Sequence, residues 1–153
     1  MAREVSGSCL CGAIGFKLHL PALVINNCHC TRCRKASGAA FGSYLHTYKD
    51  RFEWTNKNAD IINFKPTEGD PRPFCSKCGS RVPLIEAEGG VIIPAGTLDG
   101  DPEIRPYLNI YVGSKACWFS VSDDLPKFDE EPHQEFWEPI EKAYKEKLDE
   151  IEY

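Results

Sequence analysis

Residues 28–33, Cys28-His29-Cys30-Thr31-Arg32-Cys33, hold three cysteines in a run of six. Two further pairs each end at a glycine: Cys9-Leu10-Cys11-Gly12, and Cys75-Ser76-Lys77-Cys78-Gly79. Cys117 stands alone. Thiolate sulfur is a soft ligand that suits zinc, which takes four ligands in a closed structural site and three plus an open position in a catalytic one. The C-x-x-C spacing lets both sulfurs turn toward one ion, and the following glycine lets backbone amides approach them. Cys75 and Cys78 supply half a tetrahedron, and Cys9 and Cys11 fit as the other half. The pattern predicts a closed four-cysteine site tying the N-terminal region to the middle of the chain. Two readings compete with it: separate, inert or redox-active thiols, and a bridged two-metal cluster across the seven clustered cysteines. A thioredoxin-like role for Cys75 and Cys78 lacks the βαβ surroundings it needs.

With those four paired, Cys28, Cys30 and Cys33 hold a metal with one position left open. A visiting thiolate suits that position, because zinc lowers thiol pKa and accepts sulfur readily. A divalent ion held by three thiolates carries a net negative charge. Arg32, Arg34 and Lys35 are expected to offset it or to bind an anionic substrate; the plainer alternative is a solvated basic face. His29 is expected to point away from the metal, and His19 and His46 to be packing or surface residues. Cys117, before Trp118 in an apolar run, reads as a small buried residue in a strand.

Short strands broken by turns must position these groups. Residues 13–20 alternate, with Ile14, Phe16, Leu18 and Leu20 on one face. Further strands are predicted in residues 22–27, 39–48, 51–55, 61–64, 81–85, 90–96, 108–113 and 117–122, with Gly, Pro, Asn and Asp at the junctions. This suggests a mainly β fold, an antiparallel sandwich or open barrel. The tail differs. Phe136, Ile140, Tyr144, Leu148 and Ile151 form one apolar helical stripe. A helix is predicted from near Glu138, with Pro139 at its first position. It is expected to pack on the domain, with a homo-oligomer contact as the competing use. The chain thus divides into a zinc domain, residues 1–130, and a helical extension, residues 131–153.

The 153 residues fit one domain and can bury a core without a metal. Apolar residues are 42% and charged residues 27%, ordinary for a globular chain. A net charge of −5 and a pI near 5.4 argue against nucleic-acid binding driven by a basic face. No run approaches the roughly 20 apolar residues of a membrane helix, and residues 1–12 contain no apolar signal segment. The expectation is a cytoplasmic protein, where reduced thiols serve as ligands or catalytic groups.

The segments GSCLCGAIGF, CHCTRCRKASGAAF, RPFCSKCGSRV, IPAGTLDG and IYVGSKACWFSVSDDLPKF, covering about residues 7–129 in this order, resemble the glutathione-dependent formaldehyde-activating enzyme family, which includes the centromere protein V group. The resemblance implies an Mss4-like β-tent of antiparallel sheets around zinc sites. It implies a structural zinc at Cys9, Cys11, Cys75 and Cys78, and a labile catalytic zinc at Cys28, Cys30 and Cys33. It also implies a carbon–sulfur lyase that joins glutathione and formaldehyde as S-hydroxymethylglutathione. The alternatives are a non-catalytic zinc-binding interaction module and a thiol or zinc sensor. Two positions depart from the family pattern: Cys117, where a proline is frequent in a Ser-Lys-Ala-Pro-Trp run, and Asn109, where a histidine is common.

Overall fold

The computed structural model describes residues 3–151. In chain order the elements are β1 (Glu4–Ser8), β2 (Ile14–His19), β3 (Val24–Cys28), α1 (Thr31–Ser37), β4 (Gly42–Tyr48), β5 (Phe52–Lys57), β6 (Ile61–Phe64), β7 (Arg72–Cys75), β8 (Leu84–Ile85), β9 (Gly90–Pro94), β10 (Pro106–Ile110) and α2 (Gln134–Ile151). They form a three-stranded sheet, β1-β2-β5, a five-stranded sheet, β10-β3-β4-β9-β8, and the ribbon β6-β7. The chain is mainly β with a C-terminal helix, as the sequence pattern suggests. One pairing departs from the antiparallel expectation: β10 runs parallel to β3. These strands are distant in sequence, so no hairpin dictates their relative direction.

The alternating residues of β2 build the centre of the core. Ile14, Phe16 and Leu18 are all but fully buried. Phe16 sits between Phe52 and Trp54 of the neighbouring strand, with ring centroids 5.7 and 6.4 Å away, the second edge-on. Gly7 lies opposite Phe16 in the β1–β2 register. A Cβ there would fall 2.1 Å from the Phe16 ring, so the strand needs glycine for lack of space. Leu45, Val91 and Ile93 extend this cluster into the large sheet.

Several elements differ from the sequence expectation. β1 is rich in Ser and Gly, and β7 contains Pro73, so neither carries a strand signal. β1 is a strand because it pairs with β2 from Glu4 to Ser8. β7 is one because it pairs with β6 in a two-stranded ribbon, where Pro73 leaves no central ladder broken. Residues 117–122 are not a strand. The chain turns there, with the Phe119 amide bonded to the Ala116 carbonyl and the Lys115 ammonium to the Phe119 carbonyl. Ala116 takes the buried place expected for Cys117, which is exposed, as is Trp118.

α2 begins earlier than expected and continues through Pro139. Proline forfeits one helical hydrogen bond at this point. Packing compensates: Phe136 meets Phe128 edge-on at 4.8 Å and Tyr107 at 6.0 Å, one turn before the proline. Tyr144 is buried against Tyr48, 5.7 Å between centroids. Ile151, the last residue of the predicted stripe, is exposed. No helix among the described residues is long and apolar enough to cross a membrane.

Phe16 should be the most costly single truncation in the fold. Phe16→Ala is expected to lower stability by about 3–5 kcal/mol, whereas Ile151→Ala should change it by less than about 0.5 kcal/mol. Urea unfolding of the two variants checks both values.

Candidate metal centre and adjoining cavity

Cys9 follows β1 and Cys75 ends β7. Each opens a tight turn closed by a backbone bond, Gly12 N–H to the Cys9 carbonyl and Gly79 N–H to the Cys75 carbonyl, both 2.9 Å. Gly12 and Gly79 both have φ of 74°, a conformation side-chain-bearing residues avoid. The Ser80 hydroxyl joins the turns: its oxygen accepts from the Leu10 amide at 2.9 Å and lies 3.2 Å from the Cys78 sulfur. That hydrogen bond to the thiolate pulls Cys78 down to about 5.

All four sulfurs lie within 4.8 Å of one another, with Cys9–Cys11 at 3.6 Å and Cys11–Cys75 at 3.9 Å. A tetrahedron with metal–sulfur bonds of ~2.3 Å has edges of about 3.8 Å. The donor set therefore fits a zinc-sized ion.

Cys28, Cys30 and Cys33 form a second group within the same limit. Cys28 ends β3. Cys30 caps α1, its sulfur accepting from the Cys33 amide at 3.3 Å, so Cys33 is presented by the first turn of the helix rather than by a loop. Cys30 is pulled down to about 2, first by hydrogen bonding from Cys28 and then from Cys33, and Cys28 is pushed well up, first by its hydrogen bond with Cys30 and then by that with Cys33. In physical terms negative charge settles at Cys30 and the proton stays at Cys28. A soft cation can take the place of bound protons, so this group also fits a metal. Each of the two clusters could hold a metal ion.

The basic partner of this group carries no signal in the sequence. Arg72, the first residue of β7, donates from both terminal nitrogens to the Cys33 sulfur, at 3.6 and 3.7 Å, and lies 3.5 Å from the Tyr44 hydroxyl. A basic residue distant along the chain has no local spacing to reveal it. Of the three basic residues expected near the sulfurs, Arg32 lines the adjoining cavity and pairs with Glu68 at 3.6 Å. Arg34 instead bonds Thr31 of its own helix, and neither it nor Lys35 lines the cavity.

The cavity beside the three cysteines has a volume of about 310 Å³. Its walls carry Arg32, Arg72 and Arg81, the carboxylates of Asp70, Glu86 and Glu131, and Tyr44. Burial, followed by the charge at Cys33, pushes the Tyr44 phenol well up, so its hydroxyl keeps its proton. His46 also lines this cavity, its Nε2 3.0 Å from Asn26 Oδ1. Burial pulls it down to about 4, against the opposing charge of Asp70, so it is neutral near pH 7. His29 points away from the sulfurs as expected, but it is fully buried and bonded to Asn109. Asn109 does not line the cavity, and Cys117 joins neither sulfur group.

The sequence model described as glutathione-dependent formaldehyde-activating enzyme matches residues 4–114. The chain belongs to this family. The matched span contains both cysteine groups and ends before residues 117–130 and α2. A Halomonas elongata protein named "Putative glutathione-dependent formaldehyde-activating enzyme" is 25% identical over 127 residues, 76% of this chain and 80% of that protein. A Rhodobacter sphaeroides protein known from its crystal structure has the same fold, with a TM-score of 0.50 over 63% of this chain and 89% of that one. At 16% identity this likeness speaks to the fold alone.

The environment of His46 sets a pH dependence. Its folded pKa of about 4 lies below its ordinary 6.5. Between these values the unfolded chain binds a proton that the folded chain refuses, so this contribution to stability is lost as pH falls from 6.5 toward 4. His46→Gln, which can still bond Asn26, should lose less stability over that window than the wild type. Paired urea titrations at pH 7, 5.5 and 4.5 measure the difference.

Proposed function

We propose that the protein is a zinc-dependent carbon–sulfur lyase-type enzyme that makes and breaks the adduct of a thiol with a small aldehyde. Glutathione and formaldehyde are the pair that the family description names. The observation that carries this reading is the three-cysteine group opening onto a cavity lined by charges of both signs. Cys9, Cys11, Cys75 and Cys78 would hold a structural zinc, and Cys28, Cys30 and Cys33 a labile one. Bound at the second group, zinc supplies Lewis acidity that keeps a thiol ionised near neutral pH. The domain proper would be residues 1–130 and residues 131–153 an extension, whose helix α2 packs on the domain through Phe136 and Tyr144.

The chain's own groups divide the remaining work. Arg72 spreads positive charge onto the Cys33 sulfur, which limits the charge accumulated by three thiolates and a fourth, visiting one. Glutathione carries two carboxylates and an ammonium. Arg32 and Arg81 offer partners for the first, and Asp70, Glu86 and Glu131 for the second. Holding the thiol in this cavity fixes its sulfur beside the aldehyde carbon, and much of the gain must come from that placement. Attack of the thiolate on the carbonyl carbon forms the C–S bond and leaves an alkoxide. The Tyr44 hydroxyl, close to Arg72 and Cys33, is placed to donate a hydrogen bond to that oxygen as it takes a proton. The mixed charge suits a small zwitterionic thiol rather than nucleic acid. A reduced, glutathione-rich cytoplasm suits both the ligands and the substrate.

Metal analysis with and without glutathione, together with exchange NMR of a glutathione–formaldehyde mixture, tests the reading. The wild type should bind two zinc ions and release one to excess glutathione. Cys30→Ser should lose that ion and reduce adduct exchange by about 100-fold or more, since losing a direct ligand costs at least as much as losing one of its outer partners. Cys78→Ser should lose the other ion and destabilise the fold. A Cys30→Ser protein with both ions and full activity overturns the proposal, and glutathione binding without exchange points to a carrier or sensor instead.

A further inference from the structure

Asn109 and His29 lie outside the cavity, yet they are among the most buried polar side chains, at 1% and 0% exposure. His29 Nε2 lies 2.8 Å from Asn109 Oδ1, and Asn109 Nδ2 donates to both carboxylate oxygens of Asp123, at 2.9 and 3.2 Å. The orientation of this chain of hydrogen bonds is determined at its outer end. An ionised carboxylate can only accept, so the Asn109 nitrogen must face Asp123 and its oxygen must face His29. His29 therefore carries its proton on Nε2. Its Nδ1 is buried and meets no hydrogen-bond partner among the described residues. A fold retains an unsatisfied buried polar group at a cost, and such exceptions cluster where position matters.

The backbone repeats the same link. The His29 amide donates to the Ile110 carbonyl at 3.0 Å, continuing the β3–β10 pairing one residue beyond Cys28. Asn109 exchanges backbone bonds with residues 126 and 128, at 2.8 and 3.0 Å, and the Leu125 amide bonds Asp123 Oδ1 at 3.0 Å. The segment around Asp123 is thereby fastened along the free side of β10.

We infer that His29, Asn109 and Asp123 form a positioning relay that clamps the Cys28–Cys30 turn with its sulfurs facing the cavity and makes the segment after residue 114 a working part of the metal centre. None of the three touches the sulfurs or the substrate cavity; they act through the residue between two cysteines. The inference rests on reading Cys28, Cys30 and Cys33 as a metal-binding set.

The test compares the zinc-loaded full-length wild type with Asn109→Leu and Asp123→Ala, following zinc loss from each site to a colorimetric chelator and the tautomer of His29 by ¹⁵N NMR. Asp123→Asn, which keeps one acceptor oxygen, serves as the conservative variant. The relay predicts faster loss from the Cys28–Cys30–Cys33 site by about 10-fold or more, the scale seen when outer partners of metal ligands are removed. It also predicts unchanged loss from the four-cysteine site, substantial recovery in Asp123→Asn, and a proton on Nε2 of His29 in the wild type. Unchanged rates in both variants, or equal acceleration at both sites, overturn it, the latter marking general loosening of the fold. If the wild type holds only one zinc, the functional reading fails by itself. The relay is then decided by the tautomer: Nε2–H in the wild type lost in Asp123→Ala supports it, and any other result overturns it.

Discussion

Three sulfur atoms within 4.8 Å of one another can share charge only if protons or a cation separate them. Much of the structure around the cavity is a response to this repulsion. Without a cation a thiolate is stabilised by a neighbouring thiol, which is the pattern at Cys30 and Cys28. With a cation all three can ionise, and a net negative charge remains to be balanced. Arg72 is placed against Cys33 for that balance. The Tyr44 phenol, desolvated and close to the same sulfur, is held protonated by the same field. Burial and the charge at the sulfurs thus act together to keep the nearest donor protonated.

Arg72 also ties the two cysteine groups together. It begins β7, the four-residue strand that Cys75 ends. One end of that strand belongs to the closed group and the other donates to the open one. The closed group, with four convergent sulfurs and two left-handed glycines, has the features of a rigid anchor. An anchored β7 delivers a long side chain to a set place across the cavity, where a loop would leave it mobile. This gives the four-cysteine group a role beyond adding stability to a chain long enough to have its own core.

The cysteine partition is readable in the sequence because ligand chemistry is local: C-x-C-G and C-x-x-C-G commit their sulfurs to one side of a tight turn. The core strand β2 is readable for the same reason, its alternation being confined to six residues. The features that escape a reading of the sequence are set by distant pairing. β1 lacks strand propensity and exists through its register with β2. Arg72 lies 39 residues from the sulfur it meets. His46 reads as an ordinary strand residue, because only the fold shows that its strand borders the cavity. The burial expected at Cys117 falls one position earlier: Ala116 is the inward residue, and a turn ends the apparent alternation. At α2, proline chemistry predicts a late start, but the aromatic contacts of Phe136 outweigh the lost bond.

Asn109, which stands where a histidine is common in the family, does not line the cavity. In the fold it faces the other way, into a buried contact with His29. A neutral imidazole at this position also has one acceptor and one donor nitrogen, but Nε2 lies a bond farther from the backbone than either amide atom, so the two contacts would not fall in the same places. The identity of this residue therefore constrains the segment C-terminal to it. The carboxylate of residue 123 accepts from the N–H groups of residue 109 as well as from the Leu125 amide and the Lys127 ammonium, and the turn at residues 123–125 forms on it. Substitution at position 109 should consequently be tolerated in company with a change at 123 rather than alone, since the two side chains set one another's orientation across 14 residues.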